Sequence, residues 1–261
     1  MGNATHAPQR AEKSLEHQSS ASQNVQPRIW TIAATDLSFL WHECRRCFYR
    51  KVACAAPRPR TPFPSLFGAI DRTMTRYFLG RRLAEFTVGC PEGTVRGVGR
   101  WLCSAPIPVG AAAHIVLRRR LDGLVSDGAG ATSLMDFKCT APSHDHVAHY
   151  TRQLHAYAWA LEHPGKGRPV HVDRMGLLSF SPTAFSAKAG RGSLDGALSW
   201  LEIPRDDTAF GCFLEEVGST LHKPELPAPG QGCKWCAEAR PGEVALRNTT
   251  RPFNQKGVVA T

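Results

Sequence analysis

The chain is poor in acid: 22 Asp and Glu stand against 32 Lys and Arg, leaving a formal charge of +10 over 261 residues. That imbalance favours a polyanionic partner, nucleic acid first. It is also poor in long apolar runs. None approaches the roughly 18 residues of a membrane-spanning helix, so no membrane partner is expected. The polar opening stretch lacks the apolar segment of a secretion signal. The Met-Gly start has His6 where the myristoylation pattern needs Ser or Thr. A cytoplasmic, reducing setting is therefore expected, in which paired cysteines point to metal before disulfide. No internal repeat is visible. No G-x-x-x-x-G-K-[ST] loop is present either, which excludes a nucleotide-driven motor of that type.

What is present suffices for one sizeable domain, with 42% apolar residues to build a core. Residues 1–28 are rich in Gln, Ser, Ala and Asn and read as a disordered polar tail. Residues 29–236 form the expected domain, and 237–261 a flexible C-terminal tail. Thr35 is placed to cap a helix bearing Leu37, Leu40, Cys44 and Cys47. After a proline-rich break, Leu66, Ile70, Met74, Tyr77 and Phe78 recur at helical spacing. The texture then turns to strands: Ile115, Leu117, Leu121 and Val125 share one parity, and Arg118, Arg120 and Asp122 the other. SDGAGATS reads as a hairpin turn and Leu134–Cys139 as the returning strand. The segment from Val147 to His163 is the clearest helix. RMGLLSFSP reads as a strand closed by Pro182, SLDGALSWLEIP is ambiguous, and a last helix opens at Asp206-Asp207. The order predicts a mixed α/β domain around one central sheet.

Within it, Asp136 and Lys138 project from one face of a strand while Met135 and Phe137 take the other. Pairing across the hairpin lets Asp122 join them. Two crowded carboxylates are costly unless a cation lies between them. Their oxygens suit Mg²⁺ or Mn²⁺, and a neighbouring lysine can orient a water against a phosphodiester. Taken alone, an Asp-x-Lys strand is more often a solvated ion pair.

Asp122-Gly123, Asp136-Phe137-Lys138 and Gln153-Leu154-His155-Ala156-Tyr157, in that order on strand, strand and helix, resemble the PD-(D/E)XK nuclease superfamily, specifically its RecB-like branch. The resemblance implies a restriction-endonuclease-like mixed central sheet flanked by helices. It implies a deoxyribonuclease, with exonuclease action expected, acting on DNA before RNA. Asp122 and Asp136 would hold Mg²⁺ or Mn²⁺ together with the Phe137 carbonyl. Lys138 would position the water, and Gln153 and Tyr157 would support the site. With no motor in the chain, a helicase or other DNA-processing partner would unwind the substrate. Two departures stand out: Cys139 precedes Thr140 where the family has Thr directly, and Asp71 stands where RecB-like enzymes carry a histidine. Asp71 is a candidate third ligand or a surface acid paired with Arg72 or Arg76. The alternative reading is a non-catalytic nucleic-acid-binding or scaffolding protein on the same fold.

Cys44-x-x-Cys47 and Cys233-x-x-Cys236 bracket this core and can close a four-thiolate site linking its two ends. Iron–sulfur CRISPR-associated and AddB-type nuclease domains hold a [4Fe–4S] cluster comparably, but with one cysteine plus three. A [4Fe–4S] cluster is the first expectation, with Zn²⁺ as the alternative and apolar-face cysteines without metal as the remaining reading. Arg45, Arg46, Arg50 and Lys51, interleaved with Phe48 and Tyr49, suit a nucleic-acid path. SHDHVAH reads as a polar loop.

Overall fold

The computed structural model describes residues 1–2, 27–59, 65–111, 113–139 and 144–238. Most of both expected tails lies outside the described residues, as does Thr140. Strand β1 (Arg28–Ala33) leads into a π-helical stretch Asp36–Leu40, a helical turn Trp41–Glu43 and helix α1 (Arg45–Ala53). The expected single helix is thus broken at Cys44, whose extended backbone (φ −164°, ψ 105°) lets its sulfur accept the Cys47 amide and cap α1. Thr35 makes no side-chain cap; its hydroxyl accepts from Arg119 Nη1 instead, at 3.3 Å.

Helix α2 (Ser65–Phe78) follows, then strands β2 (Thr94–Arg96), β3 (Trp101–Cys103), β4 (Ile107–Pro108), β5 (Ala113–Arg120), β6 (Gly123–Ser126) and β7 (Thr132–Lys138). Two mixed sheets form where one central sheet was expected. In the first, β5 pairs β1 in parallel and β3 and β4 antiparallel. The second runs β2-β6-β7-β8-β9, where β8 is Arg174–Lys188 and β9 Arg191–Glu202. The division falls at Leu121-Asp122, where the chain passes from β5 in one sheet to β6 in the other. Leu121 still exchanges backbone hydrogen bonds with Gly99 and Arg100 on the first side, whereas Gly123 already pairs with Met135 on the second.

The β6–β7 hairpin forms as its sequence indicates. Asp127 Oδ1 accepts the amides of Ala129, Gly130 and Ala131 at 2.8, 3.0 and 3.0 Å, and Gly128 and Gly130 take positive φ. Strands β7 and β8 are parallel, so a crossover must join them. That crossover is helix α3 (His144–Glu162), which returns over the sheet. His144 and His146 belong to it, correcting the expected polar loop: the helix starts one turn earlier than its apolar spacing indicates.

Strand β8 does not end at Pro182. The proline sits where the β8–β9 register shifts, between Pro182 and Ala184, and such an irregularity tolerates a residue without an amide proton. The pair therefore runs on to Lys188 and Arg191. Helices α4 (Asp207–His222) and α5 (Lys234–Ala237) complete the described chain.

Alternation along β7 divides the core. Leu134 belongs to the larger cluster with Leu154, Tyr157 and Leu177. Met135 and Phe137 face a smaller one with Met74 and Phe78 of α2 and Val95, Val125 and Leu178. Helices thus cover the sheet on both sides of β7. No helix among the described residues is long and apolar enough to cross a membrane.

Candidate active site and metal centre

Asp122, one step beyond the Gly123↔Met135 pair, lies opposite Asp136 across the hairpin. Its Oδ2 accepts the Phe137 amide at 3.3 Å. Asp136 is completely buried and forms an ion pair with the Lys138 ammonium two residues on. Lys138 also lies 4.9 Å from the Tyr150 ring centre. From α3, Gln153 Nε2 donates to Asp136 Oδ1 at 2.8 Å and to the Tyr157 hydroxyl at 2.9 Å. The four-residue helical spacing makes that double contact possible. Arg119 Nε closes the chain of contacts, donating to the same hydroxyl at 3.0 Å. All five residues expected to act together, Asp122, Asp136, Lys138, Gln153 and Tyr157, are therefore brought into one volume.

The electrostatics are those of crowded carboxylates. Burial, then the charge of Asp136 and a hydrogen bond with it, pushes the Asp122 carboxyl up to about 9. Burial works against the Lys138 charge, but Asp136 and Asp122 outweigh it and hold the ammonium above its ordinary range. Burial and the charge of Asp136 likewise push the Tyr157 hydroxyl up. Two buried acceptors beside these groups, Gln153 Oε1 and Ser179 Oγ, have no partner among the described residues. Ser179 is paired in register with Lys138 on the neighbouring strand. A crowded carboxylate pair beside orphaned polar groups is the surrounding that a hydrated hard cation satisfies.

Asp71 is less closely engaged. The residue is solvent-exposed, yet protein around its carboxyl, followed by the charge of Asp136, raises its pKa. Among the described residues, the four cysteines are the one set of three or more candidate ligand atoms within 4.8 Å of one another. Asp71 with Asp122 and Asp136 does not form such a set. The Phe137 ring turns away, its centre 5.7 Å from that of Phe78.

The thiol centre is built from two short turns. Cys44 caps α1, so Cys47 stands one turn along beside it. Cys233 precedes α5, and its carbonyl accepts the amides of Cys236 and Ala237 at 3.0 and 3.1 Å. The sulfurs of Cys44 and Cys236 are 3.6 Å apart, those of Cys47 and Cys236 3.6 Å, and those of Cys47 and Cys233 3.7 Å. Gly230 joins the turns: its amide donates to Cys44 Sγ at 3.2 Å, and a Cβ there would lie 2.1 Å from the Glu43 carbonyl oxygen. Arg58, ion-paired with Glu43, donates to Cys233 Sγ at 3.6 Å. Burial opposes a Cys44 thiolate, but the Gly230 and Cys47 amides and the adjacent thiols bring it down to about 6. Burial and the same crowding drive Cys236 up. All nine cysteines are free thiols, and these four tie the N-terminal part of the fold to the C-terminal part.

The basic residues beside this centre are largely engaged within the protein. Arg45 pairs with Glu216 at 2.6 Å and lies 4.7 Å from the Trp41 ring centre. Arg46 Nε donates to the Pro227 carbonyl at 2.8 Å, and Lys51 to Asp36 at 2.7 Å. Arg50 lines an open cavity with Arg58, Trp235 and Glu238. His155 is structural: Nδ1 bonds the Thr151 carbonyl and Nε2 accepts the Asp206 amide.

Arg119, Tyr150, Ser179, Arg58 and Gly230 are the participants that pattern reading missed. Arg119 left a usable trace, because it is the one charged residue on the parity of Leu117 and Leu121. The others acquire meaning only from contacts distant in sequence.

The fold and the site together define a mixed α/β protein with a four-thiol centre and a buried Asp–Asp–Lys cluster. No protein-family model matches the chain, and no curated protein matches it. Among solved structures, the one described as "Crystal structure of SSO0001" aligns at 16% identity with a TM-score of 0.45, covering 72% of this chain and 75% of that one.

Proposed function

We propose that the protein is a metal-dependent nuclease that hydrolyses phosphodiester bonds of DNA. The observation that carries this reading is the convergence of Asp122, Asp136, Lys138 and Gln153, from three elements, on one buried point. A Mg²⁺ or Mn²⁺ ion held by Asp122 and Asp136, with the Phe137 carbonyl as a further oxygen, would supply Lewis-acid stabilisation of the developing phosphorane charge. Asp71 is the outer acid proposed to serve the same ion.

The chain's own groups do the rest. Gln153 fixes the rotamer of Asp136 through its Nε2 and keeps Oε1 free to accept from a water. Lys138 orients that water for in-line attack on phosphorus and offsets negative charge as the bond to the leaving oxygen breaks. Arg119, held by Tyr157, adds a second positive charge behind the site.

The sulfur spacing supports a single tetrahedral ion at the thiol centre, Zn²⁺ before iron–sulfur. Four thiolates at about 2.3 Å from one ion lie about 3.8 Å from each other, close to the 3.6–3.7 Å separations of three of the sulfur pairs here, with all four sulfurs within 4.8 Å of one another. A [4Fe–4S] cluster puts each thiolate on a different iron and needs wider spacing. Elemental analysis should return one zinc per chain in a colourless protein; a brown preparation containing iron would reverse the assignment.

The nuclease reading is tested with Mn²⁺ on labelled single and double DNA strands, comparing the native chain with Asp136→Ala. Cleavage by the first and not the second is expected. Binding without cleavage by either protein would leave the non-catalytic alternative.

A further inference from the structure

The β8–β9 hairpin has two halves in different surroundings. From Met175 to Ser179 the strand is buried in the sheet; from Pro182 to Lys188, and from Arg191 to Asp195 on the return, every residue is exposed. Strand β7 stops at Lys138, opposite Ser179, so the hairpin continues past the carboxylate end of the sheet with no strand paired to its inner side among the described residues. Phe180–Lys188 extend it by about 30 Å at the usual rise per residue.

The arm is slim and two-faced. Beyond the irregularity, Ser186↔Ser193 and Lys188↔Arg191 share one face, and Phe185↔Leu194 and Ala187↔Gly192 the other. Phe185 is 71% exposed and Leu194 41%. The aromatic rings lie across glycines of the opposite strand: a Cβ on Gly192 would meet Phe185 Cζ at 2.9 Å, and one on Gly196 would meet Phe180 Cε2 at 2.5 Å. The glycines thus keep the ribbon thin, and the tip carries two cations.

We propose that this arm enters the major groove of a B-form DNA duplex flanking the carboxylate site, with Lys188 and Arg191 on phosphates. The proposal rests on the nuclease reading for its choice of partner. A major groove about 12 Å wide admits a two-stranded ribbon, and the basic tip on a chain of charge +10 matches the phosphate backbone. Phe185 and Leu194 present apolar surface suited to thymine methyl groups. A-form RNA, with its deep and narrow major groove, excludes such an arm.

The test uses the full chain carrying Asp136→Ala, so that substrate stays intact. Binding to a labelled DNA duplex, the matching single strand and an RNA duplex is followed by fluorescence anisotropy across a salt series. Adding Lys188→Glu and Arg191→Glu should weaken duplex DNA binding by about tenfold and lower the salt slope by about two, with less than a twofold effect on the single strand. Both residues are exposed, so thermal melting should be unchanged. In the otherwise native chain the same pair should slow duplex cleavage and spare single-strand cleavage. Equal losses on single strand and duplex, no loss on duplex, or equally tight RNA duplex binding would each overturn the arm's role. So would a dimer in sedimentation that Phe185→Ser dissolves while duplex binding persists, because the apolar face would then belong to a second copy. If the native chain cleaves nothing yet duplex binding depends on the tip, the arm's role stands and the nuclease reading fails.

Discussion

The thiol centre and the carboxylate cluster are both crowds of acidic groups, but they meet the cost of crowding differently. In the carboxylate cluster a cation is already present: Lys138 pairs with Asp136, and Gln153, Tyr157 and Arg119 hold the arrangement from behind. In the thiol centre the four sulfurs face one another, with backbone amides on Cys44 and the single guanidinium of Arg58 for relief. The first can fold around its own lysine. The second is close enough for a metal ion to turn it into a net attraction, and between the two ends of the fold such an ion would act as a structural brace.

The largest effects should expose that contrast. Replacing Cys44 and Cys236 by Ser, or chelating the native protein, should lower the melting temperature by more than about 10 °C and release the metal. Asp136→Ala should leave that metal in place. Thermal melts with elemental analysis check both, and a chelator-insensitive native protein would remove the brace.

Next in size is Lys138→Ala, expected to reduce DNA cleavage by about 10³-fold. It should also lower metal-free stability, because it leaves a buried carboxylate without its partner. Mn²⁺ should restore melting but not cleavage, since on the proposed nuclease reading an ion can replace the ammonium's charge and not its orienting of the water. A melt unaffected by Mn²⁺ in this variant would count against an ion site at the aspartates. Tyr157→Phe, which cuts the link between Gln153 and Arg119, should cost about tenfold in cleavage rate, with metal content of the thiol centre unchanged.

The smallest effect lies away from both clusters. Burial raises the Glu162 carboxyl, but Arg205, the Val172 amide and His171 outweigh it and hold the pKa below the ordinary range. Its contribution to stability is present above pH about 4.3 and is lost as pH falls through the depressed value. Denaturant titrations at falling pH should show Glu162→Gln losing less stability than the native chain, by about 1 kcal/mol.

Much of the carboxylate cluster was legible because strand and helix periods are rigid rules. Asp136 and Lys138 share a face by alternation, Gln153 and Tyr157 by helical spacing, and the hairpin turn is written in Asp127, Gly128 and Gly130. The thiol centre was legible as two pairs at a fixed gap. The parting of the two sheets at Asp122 was not, because a corner leaves no period of its own. The arm was hidden by Pro182, which stops a regular strand but fits where the register shifts. Arg45, Arg46 and Lys51 read as a basic patch, whereas Glu216, the Pro227 carbonyl and Asp36 engage them from distant positions.

The sequence by itself determined which residues could share a face, which pairs of cysteines could act as ligands, and that the fold would be mixed α/β. Those properties follow from local geometry, which neighbouring residues carry with them. Only the tertiary structure decided that Asp122 stands across from Asp136 at the junction of two sheets. It alone decided that Arg119 and Ser179 join them, that four sulfurs lie close enough for one ion, and that β8 outruns its neighbour. Each depends on contacts between segments far apart in the chain, where side-chain shape and burial, not local period, select the partner.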